Sequence, residues 1–105
     1  MTLLRWTDRA VADLEESGDF IARAKPAAAR VWVGRLQDRA RAAATAPRAG
    51  RVVPELGRDD IREVILRSYR IVYRVDPGGI VVLTIFEGHR TLAGVAADDD
   101  NGSRG

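Results

Sequence analysis

Tyr69-Arg70-Ile71-Val72-Tyr73-Arg74-Val75, then Asp76-Pro77-Gly78-Gly79, then Ile80 to Phe86, reads as two strands joined by a tight turn, an antiparallel hairpin. A strand sends alternate side chains to opposite faces, so Arg70, Val72 and Arg74 share one face while Ile71, Tyr73 and Val75 take the other. Arginine on a strand made of aromatic and β-branched residues is costly unless it faces an anion. The hairpin therefore demands a sheet with one face packed against other elements and one face cationic. A third strand is expected from Arg62 to Leu66, after a loop over residues 48–60 that holds Gly50, Pro54, Gly57 and Asp59-Asp60, with a short extended piece at Arg51-Val52-Val53.

The packing elements lie upstream. Leu3, Leu4 and Trp6 suggest a short first strand, and Thr7 or Asp8 can cap a helix running from about Asp8 to Ala24. Val11, Leu14, Gly18 and Ile21 form its apolar stripe. Pro26 suits the first turn of a second helix, where its missing N–H is not needed, and Ala29, Trp32, Leu36, Ala40 and Ala43 continue a stripe until Pro47 ends it. Helices followed by strands point to an α+β domain of order β-α-α-β-β-β, a helical hairpin on one face of a twisted, mainly antiparallel sheet. Val11, Leu14, Ile21, Trp32 and Leu36 are expected to pack against Ile71, Tyr73, Leu83 and Ile85. Residues 1–96 make the single domain, and 97–105, with Asp98-Asp99-Asp100, read as a disordered acidic tail.

Charge narrows the class of partner. The chain carries 17 basic and 15 acidic side chains; three aspartates and one arginine of these fall in the tail, which leaves the body 16 and 12, a net +4. Lys25 is the only lysine. Guanidinium forks onto carboxylate or phosphate in a way that ammonium cannot, so an anionic partner is favoured. The chain has no cysteine, which removes disulfides, thiol nucleophiles and thiolate metal sites, and its single histidine leaves little for a metal or a triad. No apolar run is long enough to span a bilayer, so a cytoplasmic protein without a membrane role, and without cofactor or metal, is expected.

The order of these segments, with Gly50-Arg51-Val52-Val53-Pro54-Glu55-Leu56 in the loop and Glu87-Gly88-His89-Arg90 closing the last strand, resembles the RelE/ParE superfamily of bacterial toxins over about residues 4 to 92. The resemblance implies the toxin of a type II toxin–antitoxin module, neutralised by a cognate antitoxin in a hetero-oligomer. Two mechanisms come with it. In the ParE-like reading the toxin binds DNA gyrase and is not an enzyme; absence of the RelE tyrosine, whose place Ala96 takes, and of the RelE lysines leans toward it. In the RelE-like reading it cleaves mRNA on the translating ribosome without a metal. Such cleavage needs a base for the 2′-hydroxyl proton, cations for the phosphorane and an acid for the leaving oxygen. There the resemblance assigns Arg70 and Arg90 to the phosphate, and the same reading makes His89 a candidate acid or base and Arg62, Arg67 and Arg74 candidates for the RNA strand. Arg67 and Arg70 are the expected contacts to antitoxin carboxylates. Structural ion pairs are the competing reading for Arg62 beside Glu63 and for Arg51 near Glu55.

Overall fold

The computed structural model describes residues 3–88 and the pair 103–104. Strand β1 (Leu3–Thr7) leads into α1 (Asp8–Ala22) and α2 (Pro26–Thr45); a 3₁₀ turn (Pro47–Ala49) precedes β2 (Arg51–Val52), β3 (Ile61–Leu66), β4 (Tyr69–Asp76) and β5 (Gly79–Glu87), and β6 is Ser103–Arg104. The sheet order is β2-β3-β4-β5-β1-β6. Every pairing is antiparallel except β1 with β5, so the N-terminal strand lies parallel to β5. The expected order and hairpin-on-sheet architecture are met, with β2 at the anticipated extended piece. Of the expected tail, only Ser103 and Arg104 fall within the described residues, paired with Thr7 and Trp6.

Thr7 joins strand to helix. Its Oγ1 accepts the Ala10 N–H at 3.1 Å as the α1 N-cap and donates to the Leu83 carbonyl at 2.9 Å. Asp13, further along α1, accepts from the Thr84 hydroxyl at 2.5 Å and the Ile85 N–H at 3.0 Å, beyond the stretch of β5 that β1 covers. Helix α2 begins at Pro26, and its Trp32 donates to the Ser17 hydroxyl at 2.5 Å while meeting Tyr69 edge-on at 5.2 Å.

The sheet has an apolar cluster on each face. Ala10, Leu14, Trp32, Leu36, Ile71, Tyr73, Val82 and Ile85 form the one under the helices. Val53, Ile61, Val72, Val81, Leu83 and Phe86 form the other, which the loop between β2 and β3 closes with Val53 and Leu56. Two expected partners of the helical core therefore lie elsewhere. Leu83 moves to the second face because the β4–β5 register slips: Val72 faces Thr84 but Tyr73 faces Val82, leaving Leu83 as the extra residue of a bulge that inverts the alternation. Val11 is 39% exposed, since the buried stripe of α1 runs through Ala10, Leu14, Ser17 and Gly18 and rotates Val11 off the face.

Tyr73, fully buried, donates its hydroxyl to the Pro47 carbonyl at 2.7 Å, and burial pushes its pKa up. Tyr73→Phe deletes that bond and leaves the carbonyl short of a donor. We expect a loss of about 1 kcal/mol, read from the urea midpoint.

Candidate functional site

The cationic face of β4 is filled by the protein's own carboxylates. Arg51 on β2 stands directly opposite Glu63 on β3. Glu63 points into the second-face core and is 1% exposed; one carboxylate oxygen takes Arg51 at 2.5 Å and the other takes Arg70 of β4 at 2.6 Å. The outer edge of the Arg70 guanidinium is taken by Glu55, whose two oxygens accept at 2.7 and 2.9 Å in a fork. The guanidinium lies 5.3 Å from the centre of the Phe86 ring, on the strand opposite it. Arg70 is thus 6% exposed and held on every side.

This network reaches into solvent at two points, Arg51 and Glu55. The Arg70 hydrogen bonds hold the Glu55 carboxyl down at about 2, against an ordinary 4.5, and the same contacts raise the Arg70 pKa further. A carboxyl depressed in the folded state adds stability that is complete above its unfolded value and is lost as pH falls through the folded one. The Glu55–Arg70 contribution is therefore expected to be flat above pH ~5 and to disappear between about 4.5 and 2. Glu55 is 45% exposed on its side chain, so solvent screening limits the effect to about 1 kcal/mol. Acid titration of stability in the parent and in Glu55→Gln checks this: the variant loses the difference across that window.

The other anticipated arginines divide. Arg62 binds the loop, donating to the Asp59 carboxylate at 2.7 Å and to the carbonyls of Asp59, Arg48 and Gly50 at 2.9 to 3.1 Å, and not to its neighbour Glu63. Arg74 forks onto Asp76 at 2.8 and 3.1 Å. The anticipated Arg51–Glu55 pair is replaced by Arg51–Glu63 and Arg70–Glu55. Arg67 is exposed at the β3–β4 turn with φ 55° and makes no ion pair among the described residues. His89 and Arg90 lie outside the described residues. No group of acidic or histidine side chains among the described residues could hold a metal ion, and no described helix is long and apolar enough to cross a membrane.

Arg70 and Glu63, buried, and Arg51 and Glu55, at the solvent edge, thus form a clamp on the sheet face opposite the helical hairpin. The family model for the ParE toxin of the type II toxin–antitoxin system, parDE, matches residues 4–92. The chain belongs to the ParE toxin family. It is the toxin component of a type II toxin–antitoxin module. A solved structure of the chromosomal ParDE toxin–antitoxin system from P. aeruginosa shares the fold, with a TM-score of 0.69 at 23% identity over 83% of this chain and 96% of that one. No curated protein matches the chain significantly. Sequence reasoning on this ParE toxin missed Glu63 and Glu55 as the partners of Arg70. The signal was present: Glu63 shares strand parity with Ile61, so a carboxylate had to enter the same layer as Val72 and Arg70.

Proposed function

We propose that this ParE toxin arrests growth by binding DNA gyrase and blocking its turnover, and that the cognate antitoxin neutralises it by occupying the toxin surface. One observation carries the choice of binding over cleavage. The arginine that a RelE-like ribonuclease would turn toward the scissile phosphate is Arg70, and every edge of its guanidinium is already engaged inside the protein. Stabilising charge in a transition state requires donors aimed at an open position where that charge develops. Arg70 is aimed at Glu55 and Glu63.

The test is a DNA supercoiling assay with purified toxin and gyrase, run beside a translation reaction in which mRNA ends are mapped. Inhibited supercoiling with intact mRNA is the expected result. Codon-phased mRNA cleavage with unaffected supercoiling would overturn the reading.

For the antitoxin, Arg67 is the contact we propose among the anticipated pair, because it is exposed while Arg70 is enclosed. A rim charge of this kind acts mainly on the rate of encounter. Arg67→Glu is expected to slow antitoxin association several-fold at low salt, with the difference fading as salt screens it. An association rate equal to the parent's at low ionic strength removes Arg67 from the docking surface.

A further inference from the structure

The helical hairpin carries opposite charge on its two outward banks. On α1 the side chains bordering the groove between the helices include Glu15 and Asp19; on α2 they include Arg30. All three are exposed and make no ion pair among the described residues. Over their full lengths α1 holds five acidic residues and one arginine, Asp13 alone of the five being turned inward to β5, whereas α2 holds four arginines and one aspartate, Asp38, which pairs with Arg41. The groove floor between these banks is apolar and shallow, built from Leu14, Gly18, Ala22, Ala29 and Val33. Gly18 and Gly34 keep it open, with a Cβ at Gly18 falling 2.8 Å from Val33. Val11 and Val31 stand exposed on the same hairpin, at 39% and 58%.

A surface of this kind complements itself under one symmetry operation. When two hairpins meet face to face about a two-fold axis lying along the groove, α1 of one copy sits over α2 of the other. When the axis lies across the groove, α1 sits over α1 and like charges meet. Levels along the groove agree with the first arrangement. Gly18 and Val33 touch and mark a common height. At ~1.5 Å per residue, Asp19 lies about 1.5 Å and Arg30 about 4.5 Å from that height toward the hairpin tip. Asp19 and the second copy's Arg30 therefore come within about 3 Å of one level. Such an interface is isologous, the kind from which closed dimers are built.

We propose that the outer face of the α1–α2 hairpin is a homodimer interface, occupied by a second copy of this chain with its two-fold axis along the groove and Asp19 facing the second copy's Arg30. The inference does not rest on the gyrase reading, since it concerns a surface remote from the Arg70 clamp. Its size sets its strength. The 15 residues of α1 give a contact about 22 Å long. Two helices abreast are roughly 20 Å wide. The total area buried is then near the lower end for specific association, about 1,000 Å², so the dimer is weak and salt-sensitive.

Sedimentation of the full chain at concentrations up to about 200 µM, in low and in high salt, tests this, with dimer expected at low salt and dissociation as salt rises. Asp19→Arg and Arg30→Asp each place like charges together twice across the two-fold axis. Each is expected to weaken dimerisation at least roughly tenfold, and the double swap is expected to restore it. Both positions are exposed, so the variants keep the fold, which circular dichroism checks. A monomer at every concentration in low salt, or single variants that dimerise as tightly as the parent, overturns the proposal. So does a groove protected from hydrogen exchange only when antitoxin is added, which would assign this face to the antitoxin.

Discussion

Arg70→Ala is expected to lower the stability of the domain by roughly 3–5 kcal/mol, because it strips a fully buried carboxylate, Glu63, of its inner partner. Thermal unfolding should fall by more than about 10 °C, given ~4–8 °C per kcal/mol for a domain of this size. Loss of toxicity in this variant would therefore say little about catalysis, since the same change removes a large share of a domain's ordinary stability of about 5–15 kcal/mol. A second substitution separates the two effects. Buried ion pairs exchanged for apolar side chains of similar volume are often neutral or stabilising, and Phe86, Val72 and Leu83 already surround the site. Arg70→Met combined with Glu63→Leu is expected to recover most of the loss. If the toxin acts by binding gyrase, toxicity returns with stability. A refolded double variant that stayed non-toxic would instead point to a chemical task for Arg70.

Gly79→Ala is expected to be nearly as damaging for a different reason. A Cβ at Gly79 would fall 2.7 Å from the Leu3 carbonyl carbon and 2.8 Å from the Leu3 nitrogen, with the Leu3 oxygen nearer still. These are backbone atoms of the paired strand, so no change of rotamer relieves the contact. Either β1 shifts away from β5 or the turn after β4 distorts. We expect a loss at or above the upper end of the ~1–3 kcal/mol usual for overpacking. Hydrogen exchange locates it: amides of β1 and of β5 from Gly79 to Val82 lose protection, while β3 and β4 keep theirs.

The architecture was legible because its signals are local. Pro26 at a helix start, Thr7 at a strand-to-helix junction and the Asp76-Pro77-Gly78-Gly79 turn each act through their own backbone geometry. What escaped was non-local. Leu83 has the parity of Ile85 in the sequence, and only the bulge against β4 puts it on the other face. Val11 and Ala10 are both apolar neighbours on one turn of helix, and which of them is buried depends on how α1 is rotated over the sheet. The same limit governed the arginines. Strand alternation placed Arg70 and Arg74 on one face, but the anions that meet them arrive from a loop at Glu55, a neighbouring strand at Glu63 and a turn at Asp76. A requirement for negative charge was readable; its source inside the chain was not.

The parallel pairing of β1 with β5 also bears on when this toxin comes into being. Hairpins β3–β4 and β4–β5, and the α1–α2 pair, close over short stretches of chain and can form as they are made. The first strand cannot. Its partner is the last of the long strands, and the Thr7–Leu83 hydrogen bond spans 76 residues. Because β5 stands between β4 and β1 in the sheet, a nascent chain that lacks it holds two unconnected edges and an apolar helix face with little beneath it. Closure of the sheet is thereby tied to synthesis of β5, so fragments that stop short of it are expected to be harmless to the cell that makes them.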